Sequence, residues 1–395
     1  MFDKICIKQT ETRGYKLDIG FLVDSMLFYG KVVLLVHKEE LSILIRLVGE
    51  DLTRELIVSG RLEIKYRENM LGTMIFPGEK YNIDTFSQEN RSLDSEIYEA
   101  HRIIVNNSTK NHKFAKEFSK LIEPFSYPKE VRENIITDFN NEQLLKTALP
   151  IYFKSIVPQF ISPENIEIEI IRDGSFGPFD AYSLNTNINL EELNKIHKNA
   201  NPEVTYNINY SGFLLSIAES KGDISIASTL DSEIVTSELY SKFIAIELEE
   251  LIKQRSKSEQ ELNLFNEYIL NDCTSIGFAF LNGIITGREL LDILDKADKF
   301  RDWLKNIPQD KSLLGEYHSA LIAKSLTDKL PTKAVRFVIF EGIGITLDLL
   351  VTGGIATAAA TALSFADNFL LDKIINQKWR PNHFIDNTLK PKIKI

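Results

Sequence analysis

Residues 31–76, KVVLLVHKEELSILIRLVGEDLTRELIVSGRLEIKYRENMLGTMIF, decide the fold class. KVVLLV (31–36) is a short, unbroken run of Val and Leu, the composition of a strand buried on both faces. Residues 38–60 place apolar side chains at helical spacing, with a break at Gly49 and a stop at Gly60. RLEIKY (61–66) alternates as a strand does, and LGTMIF (71–76) is the expected partner beside it. Strand, helical crossover and strand make a βαβ-type unit. Upstream, LDIGFLVDSMLFYG (17–30) has apolar residues at helical spacing and ends at Gly30.

Further along, residues 77–96 are polar and contain Gly, Asn and Ser, so they read as a loop. Residues 97–160 are helical in pattern, interrupted near Pro124 and Pro128. NIEIEIIRDG (165–174) alternates strongly and is the clearest strand, with FDAYSLN (179–185) and VTYNINY (204–210) as candidate partners. From about 256 onward the pattern is helical. There Thr286-Gly-Arg-Glu289 has the spacing of a capping box, followed by a stripe of Leu290, Ile293, Leu294, Ala297, Phe300 and Leu304 that should face a core. The expected fold is α+β (mixed α/β). Its expected parts are an N-terminal α/β region (1–124), a central α+β region (125–255) and a helical C-terminal region (256–395) that ends in an apolar hairpin over 335–376.

With 395 residues and 44% apolar side chains, the chain can build large cores. Its net charge of −10 argues against a general electrostatic grip on nucleic acid. Cys6 and Cys273 are the two cysteines and have no CxxC spacing, which speaks against a disulfide framework and a thiolate zinc site. The first residues, MFDKICIKQTETRGYK, lack a basic stretch followed by an apolar one, so the expectation is a cytosolic protein. Abundant Lys, Asn and Ile suit an AT-rich bacterial or phage genome.

The catalytic motifs are largely missing. Gly30-Lys31 lacks the flanking residues of a phosphate-binding P-loop, and Gly174-Ser-Phe-Gly177 reads as a turn between strands. The six histidines show no HxH or HxxxH spacing, so no metal and no cofactor is expected. Two weak candidates remain. Glu63 and Lys65 form an ExK pair on a strand, half of a metal-dependent nuclease constellation in which the carboxylate holds a cation and the Lys polarises water. That chemistry needs a further acid on a neighbouring strand; strand 31–36 has none, and Asp51 lies on a helix. His37 follows strand 31–36, where open α/β sheets place functional side chains, but it also suits a solvated helix cap.

The segment AVRFVIFEGIGITLDLLVTGGIATAAATALSFADNFLLDKII (334–375) carries the most information about function. Gly353 and Gly354 split it into two helical arms, about 335–351 and 355–374. Glu341 and Asp348 lie on one helical face; Thr357, Thr361, Ser364, Asn368 and Asp372 form a second polar stripe. Across Gly342–Ala360, seven Leu, Ile and Val residues each favour membrane insertion by about 0.3–0.6 kcal/mol, and Asp348 opposes it by about 2.5–3.5 kcal/mol. A permanent span is therefore disfavoured. The tail QKWRPNHFIDNTLKPKIKI (377–395) has five Lys/Arg against one Asp, and Trp379 beside Arg380 suits a membrane interface. Alternatively the hairpin is ordinary core, and the tail caps the fold with Trp379 and Phe384 packed inside.

Three functions follow as expectations. The first is a non-enzymatic protein that acts through its C-terminal hairpin by self-assembly or by contact with another protein. In its sharpest form this is a toxin or phage-defence effector that meets an anionic membrane when activated. The second is a metal-dependent nuclease or phosphodiesterase built on Glu63 and Lys65. The third is a ligand sensor that uses the α/β region.

Overall fold

The structure, a computed structural model, describes residues 4–8, 17–87, 92–248, 274–305, 336–339 and 384–393. It is a mixed α/β protein with one parallel and one antiparallel sheet. The parallel sheet has the order β10-β9-β1-β2-β3-β6. Its strands are β1 (Lys4–Lys8), β2 (Lys31–Val36), β3 (Leu62–Arg67), β6 (Ile122–Phe125), β9 (Glu233–Thr236) and β10 (Arg336–Ile339). The βαβ unit read from 31–66 is present: β2, then α2 (Lys38–Val48) and α3 (Glu50–Val58), then β3 parallel to β2. The break between the helices is Gly49, whose φ of 91° is one that glycine adopts without strain.

Alternation in these strands sends each side chain to one of two cores. Ile5, Val32, Leu34, Leu62 and Ile64 pack under α1 (Ile19–Phe28), α2, α4 (Leu93–Arg102) and α5 (Ser108–Phe118), with α11 (Ile276–Leu281) and α12 (Gly287–Lys305) in the same layer. Cys6, Val33, Leu35 and Ile234 face the opposite core, shared with α6 (Glu130–Phe139), α7 (Glu142–Ile156), α9 (Ser211–Leu230) and α10 (Glu238–Glu247). Burial on both faces is why β2 has no polar alternation.

The antiparallel sheet has the order β4-β5-β8-β7, with β4 (Asn69–Phe76), β5 (Lys80–Ser87), β7 (Ile168–Phe176) and β8 (Phe179–Thr186). Here the structure corrects the sequence reading. LGTMIF does not pair with 61–66; it belongs to β4, which leaves the parallel sheet and pairs with β5, a strand formed from residues expected to be loop. The turn is Pro77-Gly78-Glu79, with positive φ at Gly78 and Glu79. Beyond it Tyr81 and Ile83 alternate with polar residues and enter the core. The strand at 165–174 pairs with 179–186 as expected, whereas 204–210 forms no strand. Pro124 lies inside β6, an edge strand, where its missing N–H costs no ladder bond. Arg336–Ile339, read as the start of a helical arm, is instead a strand paired in parallel with β9. Its RFVI composition of aromatic and β-branched residues suits a sheet edge. Both sheets draw strands from either side of residue 125, so they join the chain segments 1–124 and 125–255.

The remaining described C-terminal elements are helices. In α12 the stripe Leu290, Ile293, Leu294, Ala297 and Phe300 is buried, and Phe384 of the tail stacks on Phe300 at 5.6 Å between ring centroids. The capping box is formed: the Thr286 N–H donates to Glu289 Oε2 at 2.9 Å, and the Glu289 N–H donates to Thr286 Oγ1 at 3.2 Å. Thr286→Ala should therefore lower stability by about 1 kcal/mol, read as a shift of the urea midpoint at unchanged slope.

Candidate functional site

From β1 the chain builds outward through β2, β3 and β6 on one side, and through β9 and β10 on the other. The order reverses between β1 and β9. In open α/β sheets the crevice at such a switch point, beyond the carboxyl ends of the strands, is where ligands bind. Four polar residues end the neighbouring strands there: Lys8 on β1, His37 just after β2, Arg67 on β3 and Thr236 on β9.

α9 packs against both β9 and β4, and it is buried over most of its circumference. Such a helix should be apolar all round. Its centre instead reads Glu219-Ser220-Lys221-Gly222-Asp223. Glu219 and Asp223, one helical turn apart, both face Lys8. The Lys8 Nζ is 2.6 Å from Glu219 Oε2 and 2.5 Å from Asp223 Oδ1, and the Thr236 hydroxyl donates to Asp223 Oδ2. The side chains of Lys8 and Asp223 are 1% and 0% exposed, so these charges have no water to return to; Glu219, at 13%, keeps a partial opening to solvent.

Burial works against the charge on Lys8, but the carboxylates of Asp223 and Glu219 outweigh it and hold the ammonium protonated well above its ordinary range. One ammonium serves two carboxylates. Burial, with Glu219 adding to it and Lys8 opposing, pushes the Asp223 carboxyl up. Arg67 is buried and close enough for its charge to act on Lys8. The Tyr127 hydroxyl sits beside Gly222, 3.2 Å from where a Cβ on that glycine would be, and it is buried with no hydrogen-bond partner among the described residues. Burial pushes its pKa up to about 12, so it remains a donor.

The sequence candidates fall as follows. His37 is at the carboxyl edge of the sheet and caps α2, its N–H donating to Glu40 Oε2 at 2.7 Å; it is buried edge-on to Tyr66, not solvated. Glu63 and Lys65 share the α9 side of the sheet with Lys8, but they are locked in ion pairs. Glu63 contacts Lys31 of β2 and lies 2.8 Å from Lys65, which in turn reaches Glu123 of β6 at 2.6 Å. Against the desolvation that opposes its charge, the two lysines bring the Glu63 carboxyl down to about 2. Where a nuclease would offer a second carboxylate on the adjacent strand β2, this sheet offers a cation. No cluster of three or more His, Cys, Asp or Glu suited to a metal occurs among the described residues. Glu341, Asp348, Gly353, Gly354, Thr357, Thr361, Ser364, Asn368, Trp379 and Arg380 lie outside the described residues. Among the described helices none is long and apolar enough to cross a membrane.

Sequence reading missed Lys8, Arg67, Tyr127, Glu219, Asp223 and Thr236. The available signal was the charged centre of SGFLLSIAESKGDISIASTL (211–230), a stretch otherwise too apolar for a solvated helix. Comparisons of the chain with protein-family models, with curated proteins and with solved structures returned no match.

Proposed function

We propose that the protein is a ligand-controlled effector. A small phosphate-bearing ligand of the nucleotide class binds at the carboxyl edge of β1 and β9, and its occupancy governs the C-terminal segment through which the chain self-assembles or meets an anionic membrane. The observation that carries this reading is the coincidence of the switch point with buried donors, Lys8, Arg67 and the unpartnered Tyr127 hydroxyl. α2 and α10 both begin at this edge, directly after β2 and β9, and their N-terminal dipoles add positive potential for an anion. β10 supports the link to the effector segment. It is hydrogen-bonded along β9, and the chain leaves it after Ile339 at the same carboxyl edge, running on into the apolar segment.

A thermal-shift panel of nucleotides against the full chain tests the binding step. A ligand at a hundred times its Kd adds about 2.7 kcal/mol of stability, and Tyr127→Phe, which removes only the hydroxyl, should weaken that ligand about tenfold. Dye release from anionic liposomes, with and without the stabilising nucleotide, tests the output; Asp348→Lys should abolish it. If no nucleotide stabilises the protein and release is indifferent to all of them, the sensor reading fails.

A further inference from the structure

The second charged cluster on α9 points away from the sheet. Lys221 Nζ is 2.9 Å from Asp138 Oδ2 of α6 and 2.9 Å from Glu247 Oε2 of α10. One ammonium therefore holds two carboxyl groups from two different helices at a single point. Two ionised carboxylates gathered on one cation repel each other, and each raises the other's hold on a proton. The side chains of Asp138, Lys221 and Glu247 are 8%, 15% and 18% exposed, so water screens the pair only weakly.

We propose that Asp138 and Glu247 share one proton and form a pH-sensitive latch that docks the C-terminal end of α10 onto α6 and α9. With the proton in place, the cluster holds one negative and one positive charge and the three helices close on it. Without the proton, two carboxylates face one ammonium, and the surplus charge is relieved by moving Glu247, the last residue of α10, into water. Lys221 and Glu247 are the charged groups that act on Asp138. Burial first, then Glu247, with Lys221 opposing, pushes the Asp138 carboxyl up to about 7, which sets the working range near neutrality. Ser237, the N-cap of α10, directly follows Thr236 of the switch-point cluster, so the latch fixes the far end of a helix that begins at that edge of the sheet.

The sign of the effect follows from linkage. A carboxyl whose folded pKa lies above its unfolded value binds its proton more tightly when folded. Its contribution is complete below about pH 4 and is lost as pH rises to about 7.

Hydrogen exchange of the full-length protein between pH 5.5 and 8, corrected for the intrinsic pH dependence of exchange, reads the latch directly. In the wild type, protection of residues 238–247 should fall about tenfold or more across this range, while α4 (93–102) stays constant. Asp138→Asn and, independently, Glu247→Gln should each flatten the α10 profile. A wild-type profile that is already flat overturns the latch. So does an unchanged step in both variants, or a step of the same size in α4. The readout concerns α10 alone and does not depend on ligand binding at the sheet edge.

Discussion

Lys8→Met should destabilise the protein by about 3–5 kcal/mol at pH 8, among the largest single-residue effects expected in the fold. The substitution keeps most of the side-chain volume and removes only the cation, so packing loss is minor. What remains is Asp223, with no exposed surface and, among the described residues, the Thr236 hydroxyl bonded to it, and Glu219 close by. Removing one member of a buried ion pair leaves an uncompensated charge, and that is the source of the magnitude. Two features separate this from a generic core defect. The carboxyl of Asp223, already pushed up by burial, rises further once Lys8 is gone. The variant can then shed the buried charge by taking up a proton, so its deficit should shrink as pH is lowered from 8 to 5. In addition, Lys8→Met combined with Asp223→Leu should recover much of the loss, since a buried pair replaced by apolar groups is often near neutral. Urea midpoints at the two pH values measure both. A single variant within about 1 kcal/mol of wild type at pH 8 would show that water reaches the cluster.

The same cluster explains why the fold was more legible than the site. Residues 31–66 declare themselves because their signals are local: a period of two in LEIKY, a helical period in 38–58 and glycine at the breaks. β5 was hidden because Asn82, Asp84 and Ser87 have loop composition, and only Tyr81 and Ile83, which enter the core, mark it as a strand. β9 and β10 are four residues each, too short to show a period; what makes them strands is the edge they pair with. The site depends on contacts that no window contains, since Lys8 and Glu219 are 211 positions apart. Glu63 and Lys65 were placed on the correct strand, but their chemistry turns on Lys31, which reaches them only across the sheet register.

Gly277→Ala should cost about 3 kcal/mol or more, although glycine to alanine inside a helix ordinarily gains about 0.5–1 kcal/mol. α11 crosses α1 where Gly277 meets Gly20, so closely that a Cβ on Gly277 would lie 2.1 Å from the Gly20 carbonyl oxygen and 2.6 Å from its carbon. These are backbone atoms, so no rotamer change relieves the clash and the helices must separate. Separation also breaks the hydrogen bond from the Gly277 N–H to Asp24 Oδ1, 2.8 Å long, and leaves a carboxyl whose pKa burial already raises without its best partner. Gly20→Ala is the control at the same crossing. Its Cβ would meet Asp18 Oδ1 at 3.2 Å and Leu281 Cδ1 at 3.5 Å, both side-chain atoms able to give way, so a change within about 1 kcal/mol is expected. The asymmetry between the two glycines is the informative quantity, because the substitution is the same at both. Equal costs would mean that the crossing is looser than 2.1 Å implies, and that α11 is held instead through α12, where the buried Arg301 guanidinium bonds the Met26 and Leu27 carbonyls at the end of α1. A large cost at Gly277 alone would identify the glycine contact as what fastens α11 to the parallel sheet's helical layer.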